Sequence, residues 1–125
     1  MFNLVLVALG GGLGAASRFG VSLAVPARVD GWPWATFSIN VAGSFLIGLL
    51  AGWLATKGDD GEPWRLFLGV GVLGGFTTFS AYSLETMRMI ERSDWAGAAA
   101  YALGSVVAGL AAVGIGMALA KRVLG

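Results

Sequence analysis

The chain has 125 residues, of which 57% are hydrophobic and only 12% are charged. A soluble domain is about 45–50% apolar and about 25% charged, so this composition indicates a membrane protein. The absence of Cys and His excludes disulfides, zinc sites and thiol or histidine catalysis, and we expect no enzyme active site. The net charge of +1 argues against a nucleic-acid partner.

Four segments are long and apolar enough to cross a bilayer, which takes about 20 residues each. In chain order they are predicted at residues 2–25, 34–55, 64–87 and 95–120. Short loops rich in turn-forming and charged residues join them, and tryptophans mark several segment edges, as in an aromatic belt. The sequence therefore predicts an all-α membrane protein, with residues 1–125 forming a single four-helix transmembrane domain.

In the first segment, Arg18 is the only charged side chain, about seven residues before the predicted helix end. One interpretation is an arginine whose long side chain reaches the membrane interface. The other is a cation that attracts anions to a vestibule or pairs with an acid, because charges at membrane depth are costly and usually functional.

In the second segment, Thr36, Asn40 and Ser44 are spaced four apart and share one helix face. They are either hydrogen-bonding contacts between helices or a track of neutral donors. A side-chain amide such as that of Asn40 donates to an anion without adding fixed charge.

The third segment combines glycines and threonines at mid-span: Gly74, Gly75, Thr77 and Thr78. This pattern predicts a broken helix, with a simple glycine kink as the alternative. A break frees backbone groups that protein, an ion or water must satisfy within a membrane. Phe79 and Tyr82 follow on nearly one face, where their ring edges either face an anion or pack against other aromatic rings.

In the fourth segment, Tyr101 and Ser105 share a helix face, although serine hydroxyls often bond back to their own helix. No Asp or Glu falls in the first, second or fourth segment, and Glu85 lies near the end of the third. Proton- or cation-coupled transporters generally need a membrane carboxylate. The pattern therefore favours anion passage.

The Lys and Arg residues divide almost evenly between the two membrane sides. The N-terminal side carries four of them: Lys57, Arg65, Lys121 and Arg122. The other side carries Arg28, Arg88 and Arg92, and a fourth if Arg18 is counted there. Orientation normally follows a Lys/Arg excess. The balance indicates either a weak bias or a chain that inserts both ways and forms an antiparallel dimer.

Glycine pairs four residues apart allow helices to approach closely, either within one chain or between two. They occur at Gly10 and Gly14, at Gly48 and Gly52, and at Gly71 and Gly75.

Three stretches together resemble the small bacterial Fluc (CrcB-type) fluoride channels. They are GGLGAASRF at residues 11–19, TFSINVAGSF at 36–45 and GGFTTFS at 74–80. The third is highly specific, and the resemblance extends over essentially the whole chain. It implies passive export of fluoride from the cytoplasm through the bacterial inner membrane by an antiparallel, dual-topology homodimer. It further implies two pores, each lined by both subunits.

The resemblance also implies roles for individual residues. A structural sodium ion (Na⁺) at the dimer centre is expected on the backbone carbonyls of Gly74 and Thr77. The implied pore and anion-binding residues are Asn40 as the pore asparagine, Arg18 as the vestibule arginine, Phe79 as the first phenylalanine of an aromatic box, Tyr101 and Ser105 as a fourth-helix polar track and, more loosely, Thr36.

Two positions depart from the family pattern. Tyr82 stands where the second box phenylalanine is usual, and its hydroxyl either binds fluoride or narrows or reroutes the path. Gly109 stands where a serine of the polar track is expected. Two alternatives stay open: a dual-topology, proton-coupled exporter of the small multidrug type, which should carry a first-helix glutamate that is absent here, and a partner subunit of a heterodimeric channel.

Overall fold

The structure, a computed structural model, describes residues 1–25 and 31–124. Within these residues, four helical stretches are long and apolar enough to cross a membrane: Phe2–Ala24, Trp34–Leu54, Gly58–Glu91 and Trp95–Leu124. This arrangement confirms the predicted all-α fold with four membrane-spanning helices. Part of the predicted first loop, including Pro26, Arg28 and Asp30, lies outside the described residues.

The first, second and fourth spans are single helices, and the third is composite. Helix α1 is Phe2–Ala24 and helix α2 is Trp34–Leu54. After a 3-10 turn at Gly58–Gly61, helix α3 covers residues 62–76 and helix α4 is Phe79–Glu91. Helix α5 is Trp95–Leu124.

Two extended residues separate α3 from α4. Thr77 has φ −82° and ψ 156°, and Thr78 has φ −148° and ψ 121°, both in the β region. The Thr78 hydroxyl accepts a hydrogen bond from the Ala81 N–H at 3.2 Å and so caps the start of α4. The prediction of a broken third helix is confirmed, and the alternative of a simple glycine kink is wrong.

The sequence pattern did not predict the backbone of α3, most of which is π-helical, at Arg65–Leu73. Such wide turns are rare and are frequently found at functional sites. This stretch contains Gly69 and Gly71 and leads directly into the break.

Glycines bring α1 into backbone contact with α3. A Cβ built on Gly10 would lie 3.0 Å from the Gly71 Cα, and one built on Gly14 would lie 2.8 Å from the Phe76 N. A real Cβ does not tolerate contacts of this kind with backbone, so only glycine permits this packing distance. The end of α3, just before the break, is thereby held against α1.

The second and fourth spans use the same device. A Cβ on Gly48 would lie 3.1 Å from the Met117 N, and one on Gly116 would lie 2.9 Å from the Leu49 N. The predicted glycine pairs thus pack helices within one chain. They give no support for a dimer, which must be argued from other features.

We predict that Gly14→Ala destabilises the protein by about 1–3 kcal/mol, because the new methyl group must push α1 away from α3. Thermal unfolding of the purified protein in detergent should show the loss as a lower Tm. Gly12→Ala is the matched control, since a Cβ at Gly12 meets nothing within 4 Å. Equal Tm values for the two variants would contradict the proposed contact.

Candidate functional site

A cavity of about 440 Å³ lies between α2, the broken third span and α5. Its lining contains five polar residues, Asn40, Ser44, Thr77, Thr78 and Ser105, and two aromatic residues, Phe79 and Tyr82. The cavity therefore brings together six of the predicted site residues, Asn40, Gly74, Thr77, Phe79, Tyr82 and Ser105. Arg18, Thr36 and Tyr101 do not line it.

Asn40 joins α2 to the helix break through both ends of its amide. Its Nδ2 donates to the Thr78 carbonyl oxygen at 3.1 Å, and its Oδ1 accepts from the Thr78 N–H at 2.9 Å. This paired contact satisfies both backbone groups of an extended residue at membrane depth. Because Nδ2 carries two N–H groups, the amide binds the backbone and keeps one donor besides.

The two carbonyls predicted to hold sodium lose their usual helical donors. In a continuous α-helix, the Gly74 and Thr77 carbonyls would accept from the N–H groups of Thr78 and Ala81, four residues on. Here the Thr78 N–H donates to Asn40 Oδ1 and the Ala81 N–H donates to the Thr78 hydroxyl. The break thus diverts the donors from these two carbonyls, and oxygen atoms of this kind suit a hard cation.

Arg18 donates from Nε to the Gly75 carbonyl oxygen at 3.2 Å, and its side chain is half-buried. The arginine of the first helix therefore contacts the end of α3, just before the break. The sequence patterns did not predict this contact, and the expected roles of Arg18, at the interface, as a vestibule cation or beside an acid, stay predictions.

Glu85, which the sequence places near the end of the third span, was not among the predicted site residues. Its carboxylate accepts from the Thr36 hydroxyl at 2.7 Å and from the Tyr101 hydroxyl at 2.9 Å, so it joins α2, α4 and α5. Two of the predicted donors are thereby committed to a carboxylate. The spacing of three residues between Tyr82 and Glu85 could have indicated that Glu85 lies near the site, because it puts both side chains on one helix face.

The two box residues have different surroundings. Phe79 is 77% exposed, and its ring centroid lies 5.5 Å from that of Tyr82. Tyr82 is half-buried, lies 5.4 Å from the ring of the fully buried Tyr101, and donates its hydroxyl to the Ala102 carbonyl oxygen at 2.9 Å. The Tyr82 ring is fixed against α5, whereas most of the Phe79 side chain is exposed.

The Ser105 hydroxyl oxygen is buried and has no hydrogen-bond partner among the described residues. Ser105 lines the cavity together with Asn40 and Ser44. None of the described lining residues is charged. The cavity wall therefore presents neutral donors and ring edges, which suit a small anion.

The sequence was compared with known proteins. The family model described as CrcB-like protein, Camphor Resistance (CrcB), matches residues 5–117. Three relatives, each named fluoride-specific ion channel FluC, are similar along nearly their whole lengths. The protein of Phenylobacterium zucineum is 54% identical over 125 residues, covering 98% of each chain. Those of Novosphingobium aromaticivorans and Methylobacterium nodulans are 53% and 49% identical, covering 98% of this chain and 99% and 98% of theirs.

These relatives are named as ion channels, so the prediction that the chain is not an enzyme is confirmed. Four apolar helices and relatives of this kind make it a multi-pass membrane protein. The family match covers far more than half of the residues and agrees with the resemblance found in the three sequence stretches. The chain therefore belongs to the CrcB family.

Proposed function

We propose that the protein is a fluoride-selective, passive ion channel that exports fluoride from the cytoplasm across the bacterial inner membrane. The observation that carries this proposal is a cavity wall without charged residues, and a Ser105 hydroxyl without a partner, among the residues that the structure describes. It stands beside a family whose relatives are named fluoride-specific ion channels. Fluoride is small and strongly hydrated, so a narrow path must replace its water with donors.

Hydrogen-bond donors and aromatic rings together replace the water around fluoride. Ser105, Ser44 and the remaining N–H of Asn40 offer hydrogen bonds along the cavity, and the aromatic ring edges carry partial positive charge. Thr36 and Tyr101 act on the path through Glu85, since both donate to its carboxylate. Arg18, near the end of α1, supplies the positive charge that draws anions toward the vestibule.

The second part of the proposal is an antiparallel homodimer. The break leaves Phe79, Ser80 and Gly74 exposed near the middle of a span. Beside them lie the Gly74 and Thr77 carbonyls, which lack their usual helical donors. Irregular backbone is tolerated in a membrane only where protein or water covers it. A second copy of this chain is the cover we propose, and the balanced Lys/Arg distribution is consistent with its opposite orientation.

In this dimer, the exposed Phe79 of one subunit faces the polar cavity wall of the other, which yields two pores by symmetry. The carbonyls of Gly74 and Thr77 from both subunits then hold a central sodium ion. The ion would compensate the carbonyl dipoles that the break leaves without their helical donors. Its proposed role is structural, joining the two breaks.

One observation favours a second candidate function, a proton-coupled exporter. Glu85 is a carboxylate inside a membrane span with two hydroxyl partners, which is a common setting for proton coupling. The two functions differ in their response to a proton gradient, which the next experiment includes.

We predict that liposomes containing this protein alone release fluoride when a potassium ionophore balances the charge. Flux should not depend on an imposed proton gradient, and chloride should move far more slowly. The measurement is fluoride-electrode recording after ionophore addition, with empty liposomes as the control. Well-folded protein that releases no fluoride would contradict the self-sufficient channel and favour the heterodimer subunit; flux that requires a proton gradient would favour the exporter.

We predict that Phe79→Ile lowers fluoride flux about tenfold, because an aliphatic side chain has no positive ring edge to present to the anion. The matched control is Leu84→Ile, on the same helix and 51% exposed, which should conduct like the original protein. Equal flux from Phe79→Ile would remove this ring from the pore.

We predict that replacing sodium by N-methylglucamine, at constant ionic strength, lowers the Tm of the purified dimer by several degrees, because a bound ion stabilises the folded state that binds it. Titration with sodium should restore the Tm, and potassium should do so less well. A Tm that is independent of sodium would contradict the structural ion.

A further inference from the structure

Four hydroxyls of the described residues bond to a backbone carbonyl three or four residues earlier in the chain. Ser22 and Thr56 donate to the carbonyl three residues before, at 2.6 and 2.7 Å. Thr77 and Thr86 donate to the carbonyl four residues before, at 2.9 and 2.8 Å. This local bond is the ordinary state of a serine or threonine in a membrane helix.

Ser105 departs from this pattern, although its hydroxyl is buried. The oxygen has no partner among the described residues, so it bonds neither to the Ala102 nor to the Tyr101 carbonyl. A buried donor without a partner loses its hydrogen bonds to water without replacement, which is unfavourable. A specific contact must therefore disfavour the local hydrogen bond of Ser105.

The carbonyl three residues before Ser105 is already occupied. The Tyr82 hydroxyl donates to the Ala102 oxygen at 2.9 Å. A carbonyl oxygen has two lone pairs, and within α5 one of them serves the helical N–H four residues on. With Tyr82 on the other, no acceptor site remains there for Ser105.

We propose that Tyr82 is a positioning residue that keeps the Ser105 hydroxyl free to donate to the transported anion. It does so by occupying the Ala102 carbonyl, which is one of the two backbone acceptors, with that of Tyr101, within reach of a serine at position 105. The inference rests on the proposed function, because it takes fluoride as the anion that Ser105 meets. The Tyr82 hydroxyl is not itself a fluoride donor, since its proton is committed to Ala102.

This arrangement gives a physical role to the tyrosine at a position where phenylalanine is usual in the family. A phenylalanine has no hydroxyl with which to occupy the Ala102 carbonyl. The Ala102 carbonyl and the anion would then compete for the Ser105 hydroxyl, so the hydroxyl would donate to the anion less often. Gly109, one turn further along α5, supplies no side-chain hydroxyl in compensation.

The first test is a double-mutant cycle on fluoride flux from liposomes. Tyr82→Phe should lower flux about fivefold, the effect of one ordinary hydrogen bond, and Ser105→Ala should do the same. In the Ser105→Ala background, Tyr82→Phe should have no further effect, because the donor that it protects is gone. Ser22→Ala, which removes a hydroxyl that bonds back within α1, is the matched control and should leave flux unchanged.

The second test is the same cycle measured by thermal unfolding, which does not depend on conduction. Tyr82→Phe should lower the Tm little when Ser105 is present, because the freed serine replaces the tyrosine on the Ala102 carbonyl. The same change should lower the Tm more in the Ser105→Ala background, where no replacement donor exists.

The two cycles separate this inference from the proposed channel function. Equal effects of Tyr82→Phe in both backgrounds, in flux or in Tm, would overturn the link to Ser105, as would unchanged flux for Tyr82→Phe alone. If the original protein releases no fluoride but the Tm cycle shows the predicted coupling, the channel proposal fails and the release of the Ser105 hydroxyl by Tyr82 is supported.

Discussion

The rest of this structure depends on the need to satisfy backbone polar groups where the third span is broken. A membrane offers no water to an unpaired N–H or carbonyl, so each group at Thr77 and Thr78 requires a partner. Three side chains provide partners: Asn40 pairs with both backbone groups of Thr78, Arg18 donates to Gly75, and the Thr78 hydroxyl caps α4. Because these side chains come from α1, α2 and the break itself, satisfying the break also fixes how the spans pack.

Glycine packing supports the same region from the other side. The close approach of Gly10 and Gly14 to α3 holds the segment before the break against α1, and π-helical turns form its backbone. Packing replaces hydrophobic collapse as the force between helices in lipid, so contacts of this kind hold the end of α3 against α1. Every predicted glycine pair packs helices within one chain, so the proposed second subunit is argued from the polar break and not from a glycine stripe.

Hydroxyl groups around the cavity fall into two sets with different tasks. Thr36 and Tyr101 donate to Glu85, and Tyr82 donates to the backbone of α5. Ser105 alone is buried without a partner among the side chains described near the cavity. Most hydroxyls in this network donate to protein acceptors, which fixes the positions of the side chains around Ser105. In the proposed channel, the Ser105 hydroxyl is therefore the donor left for the anion.

The sequence by itself determined the membrane class, the four spans and the break. Hydrophobic length and segregated charge are local properties, and the run from Gly74 to Thr78 weakens a helix wherever it lies. Only the tertiary structure decided which hydroxyls remain free. Periodicity placed Thr36, Tyr101 and Ser105 on polar faces. It did not predict that the Glu85 carboxylate accepts from Thr36 and Tyr101, or that the Tyr82 hydroxyl donates to Ala102. A hydrogen bond between helices depends on their rotation and separation, which no pattern within a single helix encodes.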